Sequence, residues 1–78
     1  MAMMAEENWE PTTGERVLFL RKRRGLSQQE LSKRTGITQP TLSRIEAGKP
    51  LLAENARKLA IALDCSTDYL LRLKATPP

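Results

Sequence analysis

Apolar residues recur along this chain at helical spacing, and capping residues divide that recurrence into five short segments. The first is expected to begin near Thr12, because Thr12-Thr13-Gly14-Glu15 has the Ser/Thr-x-x-Glu form in which hydroxyl and carboxylate satisfy each other's free backbone donors. It is expected to stop at Gly25. Between them Val17, Leu20, Arg21 and Arg24 fall at i, i+3, i+4 and i+7, which places Val17 and Leu20 on the core face with Leu18 at its edge, and turns Arg21 inward. Ser27-Gln28-Gln29-Glu30 repeats the capping pattern and predicts a second helix over about 28–34 with Leu31 inside. Gly36 suits the left-handed conformation that ends a helix, and Ile37 anchors the turn.

Thr38 is the next cap, and the third helix is predicted from Gln39 to Ala47, with Gly48 as its stop. Leu52, Ala56, Leu59, Ala60 and Leu63 then mark one face of a fourth helix. Ser66 caps a fifth, in which Tyr69, Leu70 and Leu73 pack back. No strand-like alternation or internal repeat is present, so the fold class is all-α. The domain is expected over 12–74, between a flexible acidic arm at 1–11 and a frayed end at 75–78, where paired prolines cannot extend a helix. Trp9, the one large aromatic group of the arm, is expected to fold back on the domain.

Charge adds a direction to this picture. Thirteen Lys and Arg against nine Asp and Glu give +4 over 78 residues. Four of the nine, Glu6, Glu7, Glu10 and Glu15, are the only charges before Arg16, so the remainder carries thirteen basic and five acidic side chains, or +8. Such a surplus favours a polyanionic partner, since each phosphate neutralised by Lys or Arg releases condensed counterions. The run Arg21-Lys22-Arg23-Arg24 also suits the negative end of the first helix, and at least two of its last three residues are expected to be no more than a solvated terminus.

Chemistry that needs other residues is excluded. With no histidine and one cysteine, Cys65, neither a zinc site nor imidazole catalysis is available, and no internal disulfide forms. Cys65 reads as a small core residue. No nucleophile, base and pocket combination emerges, so the chain is not expected to be an enzyme, to bind a metal or to carry a cofactor. No apolar run approaches the roughly 18 residues of a membrane span, and Met1 to Glu10 is acidic rather than signal-like, which points to the cytoplasm.

The third helix carries the most specific chemistry. With Leu42 set at the core direction and about 100° per residue, Thr38, Leu42, Ile45 and Glu46 fall on the inner side. Pro40, Arg44 and Ala47 fall opposite, flanked by Thr41 and Ser43, with Gln39 on the protruding first turn. This outer surface holds an amide, two hydroxyls, a guanidinium and small apolar groups, and no carboxylate. Glutamine pairs bidentately with adenine, arginine with guanine O6 and N7, and proline or alanine touches a thymine methyl. Glu46 faces inward, where Arg21 is its natural partner, so the two are expected to form a structural salt bridge that sets the angle between the first and third helices.

The ordered set Leu20-Arg21, Gly25 to Leu31, Gly36 to Gln39, Leu42 to Gly48 and Leu63 to Leu71 resembles the Cro and phage-repressor helix-turn-helix family, also called XRE-type. The resemblance covers about 16–73 and implies the compact five-helix lambda-repressor-like DNA-binding fold. It further implies that Gln39, Pro40, Thr41 and Arg44 read bases, and that Ser27, Gln28, Thr38, Ser43 and Lys49 lie along the DNA backbone, with Gln28 also bracing the third helix. Arg21 and Glu46 match a pair that is structural in the family. Three departures stand out: Pro40 has no side-chain hydrogen bond to offer, Ala47 replaces a frequent asparagine and weakens phosphate clamping there, and Ser32 stands where alanine is usual. The implied function is a transcriptional regulator, in the first instance a repressor, binding double-stranded operator DNA as a homodimer on a pseudo-palindrome, with Leu71 and Leu73 as candidates for self-association. An antitoxin with a toxin partner, or a restriction-system controller, would use the same DNA-binding mode. A protein-interaction module without DNA is the alternative from another class.

Overall fold

The first helix starts where a threonine and a glutamate exchange hydrogen bonds. In the computed structural model, which describes residues 11–71, Thr12 Oγ1 accepts the Glu15 N–H and Glu15 accepts the Thr12 N–H. Helix α1 runs Thr13–Arg23, α2 Gln28–Thr35, α3 Gln39–Glu46, α4 Ala53–Leu63 and α5 Thr67–Leu70. Among the described residues all regular structure is helical. Ser27, Thr38 and Ser66 cap α2, α3 and α5 through side-chain oxygens that accept backbone N–H groups, as their positions ahead of each apolar pattern predict.

The helices close around one core. Val17, Leu31, Leu42, Leu59, Leu63 and Leu70 are fully buried, with Leu20, Leu26, Ile37, Ile45, Ala60 and Tyr69 around them. Each buried leucine contributes about 1.5–3 kcal/mol relative to exposure. Helix α1 packs on α3, α4 and α5, and α2 bridges α3 and α4. Cys65 is half-buried against this core, and the burial raises its thiol pKa above the ordinary value.

Several expectations change in detail. Leu52 does not join the inner face of α4: it is the N-cap residue and 69% exposed, while Leu51 packs on the core instead. Helical angles mislead at that position because an N-cap residue has extended backbone and lies off the helical path. The same reason exposes Thr38, which the angles place inward. Helix α1 ends at Arg23 with Arg24 as its cap, and Gly25 follows at φ +70. The arm at residues 1–10, Trp9, Leu73 and the chain beyond Leu71 lie outside the described residues.

Two features of α1 escape a reading by periodicity. Gly14 is buried where α1 crosses the end of α3, and a Cβ there would overlap the Ile45 carbonyl oxygen and stand 3.0 Å from that of Glu46. Arg16 is only 2% exposed. Its Nη1 donates to the Tyr69 carbonyl at 2.6 Å, and its guanidinium lies 4.4 Å from the centre of the Tyr69 ring, fastening α5 to α1.

The close crossing at Gly14 gives a direct test. Gly14→Ala should destabilise the domain by about 1–3 kcal/mol or more, because backbone rather than a flexible side chain must move, although alanine is the better helix former. Urea denaturation of the two proteins measures the difference, and an unchanged or raised midpoint would contradict the close approach.

Candidate nucleic-acid interface

The turn between α2 and α3 is built by its own residues. Gly36 adopts φ +78 and its N–H donates to the Ser32 carbonyl at 2.8 Å, ending α2. Thr35 Oγ1 donates to the Leu31 carbonyl at 2.8 Å and accepts the Ile37 N–H at 3.1 Å, which stitches the turn to the helix before it. Ile37 is buried beside Leu31 and Leu42 in the core cluster, so the chain leaves the turn in a fixed direction. At the far end Gly48 takes φ +107, and the N–H groups of Gly48 and Lys49 donate to the carbonyls of Ile45 and Arg44 at 3.1 and 3.0 Å.

The inner side of α3 is anchored by Leu42, Ile45 and a polar clamp. Arg21 Nε donates to Glu46 Oε2 at 2.7 Å and its Nη2 to Oε1 at 3.1 Å, with side-chain exposures of 11% and 7%. This forked geometry is the strong form of an ion pair. Arg21 Nη1 also donates to the Leu26 carbonyl at 2.8 Å, and Gln28 Nε2 donates to Glu46 Oε1 at 3.0 Å. One carboxylate thereby ties α1, the α1–α2 connection and α2 to α3. The helical angles anticipate the Arg21 contact, and the family resemblance implies that Gln28 braces the third helix; that its partner there is Glu46 depends on how α2 lies across α3.

The outer side is open. Gln39, Pro40, Ser43, Arg44, Ala47 and Lys49 are all exposed, and Thr41 is half-buried. Thr38 Oγ1 and Thr41 Oγ1 share a hydrogen bond at 2.9 Å, and Thr38 Oγ1 accepts the Thr41 N–H at 3.4 Å. Pro40 sits in the first turn of α3, where its missing N–H breaks no helical bond. Ser27 is exposed at the head of α2 and exchanges cap bonds with Glu30 at 2.8 and 3.0 Å. The Ser27 N–H donated to the carboxylate lowers the Glu30 pKa below its ordinary value, with the Ser27 side chain, Arg34 and Lys33 adding to the effect. The amides of Gln28 and Gln29, next in the first turn, have no intrahelical acceptor and point out of the helix end.

The basic residues divide into two groups. Lys22 and Arg23 are the solvated pair expected at the end of α1, whereas Arg24 caps another helix: its Nε donates to the Leu63 carbonyl at 2.8 Å, and Nη2 lies 3.7 Å from the Asp64 carboxylate. Arg16, Arg21 and Arg24 therefore have internal partners. Lys22, Arg23, Lys33, Arg34, Arg44, Lys49, Arg57 and Lys58 are exposed. Among the described residues no group of acidic, cysteine or histidine side chains could hold a metal ion, and no helix is long and apolar enough to cross a membrane.

Two short helices joined by a glycine turn, the first buried by one face and the second presenting its outer face to solvent, define a helix-turn-helix DNA-binding unit. The chain belongs to the helix-turn-helix family, whose model matches residues 19–70, and with it to the DNA-binding transcriptional regulators. Its structure is that of the five-helix lambda-repressor-like domains. It is similar to the N-terminal DNA-binding domain of SinR from Bacillus subtilis, with 31% identity, a TM-score of 0.72 and coverage of 76% of this chain and 88% of that one. The P22 c2 repressor bound to a synthetic operator matches with 34% identity, a TM-score of 0.74 and coverage of 81% and 97%. The restriction-modification controller protein C.AhdI from Aeromonas hydrophila matches with 34% identity, a TM-score of 0.70 and coverage of 74% and 89%. Against the SinR chain solved with SinI, this chain spans 60% of the length. No match is found among the curated proteins.

Removing one member of the clamp leaves the other charge enclosed. Arg21→Met should therefore lower stability by about 3–5 kcal/mol in chemical denaturation, whereas a loss within error would remove the clamp's structural role. The Glu30 cap has a pH signature. Because its folded pKa lies below the unfolded value, its contribution is complete above the ordinary carboxylate range and is lost as pH falls through the folded value. Glu30→Gln should flatten that part of the acid limb of stability against pH, and an unaltered limb would contradict the assignment.

Proposed function

We propose that this protein recognises a specific double-stranded DNA operator by inserting α3 into the major groove, and that it represses transcription there. The observation that carries this reading is the division of α3 into a buried side held by Leu42, Ile45 and Glu46 and an exposed side bearing Gln39, Pro40, Thr41 and Arg44. Gln39 and Arg44 have the donor and acceptor sets that match adenine and guanine edges, and Pro40 offers an apolar contact to a thymine methyl. Ser27 and Gln28 at the head of α2 and Thr38, Ser43 and Lys49 around α3 are the backbone contacts in this proposal, with the outward amides of α2 suited to a phosphate.

A single α3 spans only a few base pairs, so we assign the active species as a homodimer on a pseudo-palindrome with half-sites about 34–36 Å apart. Leu71, half-buried at the end of α5, is the described part of the proposed self-association surface. The similarity to an operator-bound repressor and to a restriction-modification controller supports regulation of transcription as the role, exercised in the cytoplasm and without catalysis.

The two classes of contact separate experimentally. Arg44→Ala should cost about 1–3 kcal/mol on the cognate duplex and relax preference at one base pair, while Lys49→Ala should weaken all sequences and lower the slope of log K against log salt by about one. Titrations on cognate and random duplexes at several salt concentrations provide the measurement. Equal losses on both duplexes for Arg44→Ala would reject its reading role.

A further inference from the structure

A groove of about 200 Å³ opens between the end of α2 and α4, lined by Arg34, Thr35, Lys58, Ile61 and Ala62. No residue of α3 lines it. Its floor is apolar, and Ile61, at 77%, is the most exposed large apolar side chain among the described residues. Its rim is cationic: Arg34 and Lys58 are exposed, and Lys58 meets Glu54 at 3.6 Å in a pair whose side chains are 44% and 78% exposed, which makes it a weak one. Such a groove fits a segment that is both apolar and acidic. Residues 1–10, outside the described structure, have that composition: Met1, Met3, Met4 and Trp9 are apolar, Glu6, Glu7 and Glu10 are acidic, and none is basic. Methionine, unbranched and adaptable, suits a shallow and irregular apolar surface. The reach is also sufficient. Helix α1 rises about 16 Å over its length, and Arg24 at its end holds the carbonyl of Leu63, two residues past Ile61. An extended chain advances about 3.3 Å per residue, so the stretch before Pro11 is long enough to bring Met3 and Met4 to the groove with Glu6 and Glu7 behind them.

We propose that the acidic arm docks in the groove between α2 and α4 of its own chain, with Met3 and Met4 on Ile61 and Ala62 and with Glu6 and Glu7 beside Lys58 and Arg34. The occupant is this arm rather than that of a second copy, because the link through Pro11 holds it near the groove at high effective concentration. Its effect falls on DNA. Arg34 and Lys58 lie off α3, and cations there attract a duplex of any sequence without presenting the exposed side of α3 to it. The docked arm neutralises them, so that attraction to phosphate is concentrated on the face that carries Arg44 and Lys49. The docking stands on the groove and the arm alone, whereas its effect on DNA rests on the proposed reading of α3.

Docking is measured by NMR on the full chain without DNA. A nitroxide on Ala2→Cys, in a Cys65→Ala background, should broaden the amides of residues 34–35 and 58–62 most strongly. Arg34→Glu with Lys58→Glu should abolish that pattern, and adding Glu6→Lys with Glu7→Lys should restore it. As a label-free measurement with Cys65 intact, Glu6→Gln with Glu7→Gln should shift the same amides. The proposal is overturned by a maximum of broadening on another face, by no broadening, or by broadening found only between separate spin-labelled and isotope-labelled chains. The effect on DNA is measured by salt titration on random duplex. Glu6→Gln with Glu7→Gln should steepen the slope of log K against log salt by about two. Adding Arg34→Gln with Lys58→Gln should cancel that increase, whereas the same two changes in the otherwise unaltered chain should move the slope little. Docking without this non-additivity would overturn the neutralising role. Failure to bind any duplex at low salt would instead reject the operator reading and that role with it, while the spectra alone decide the docking.

Discussion

The Glu46 carboxylate is the point on which the arrangement of the helices turns. It takes two hydrogen bonds from Arg21 and one from Gln28, and Arg21 reaches on to the Leu26 carbonyl, so four stretches of chain converge at one group. Apolar packing alone tolerates small rotations of one helix on another, whereas a forked pair with short, directional bonds admits one geometry. Gly14 adds a steric limit at the same end of α3, where the backbones of α1 and α3 approach too closely for a side chain. The exposed side of α3 is thus held by the body of the domain before any ligand arrives, which reduces the ordering cost of the proposed association.

The arginines illustrate how little a count of charges says about a surface. Arg16 lies against Tyr69, Arg21 against Glu46 and Arg24 against the end of α4, so three of the groups that make the domain basic serve its interior contacts. What distinguishes the α3 surface is position: Arg44 and Lys49 stand exposed on it beside neutral hydrogen-bonding groups, without a carboxylate among the outward positions. Electrostatic attraction can bring a duplex close from many directions, but selection among sequences requires fixed donors and acceptors.

The parts of this fold that are legible in the sequence are those set by local interactions. The cap of α1 by Thr12 and Glu15 and that of α2 by Ser27 and Glu30 lie within four consecutive residues, and the structure contains both. The inward position of Arg21 and Glu46 follows from helical angles, because each lies well inside its helix or at its last turn. Angles fail at Thr38 and Leu52, where the chain has not yet entered the helix. Arg16 shares a face with Leu20 four residues on, yet its charge hides its burial from a reading by residue type. Gly14 and the Gln28 contact depend on how separate helices cross, which no single segment records. For the candidate interface, outward orientation can be read from the chain, while in the proposed reading the partner of each side chain lies in the DNA and leaves no trace in local pattern.

The separation of the two sides of α3 has an evolutionary consequence. The side chains of Gln39, Ser43 and Arg44 have no hydrogen bond or ion pair to the described body of the domain, while those of Glu46, Leu42 and Ile45 are held within it. Changes at the outer positions are therefore nearly decoupled from folding. In the proposed reading of α3, a lineage with this scaffold can drift toward new operators by exchanging a few exposed residues without disturbing the core.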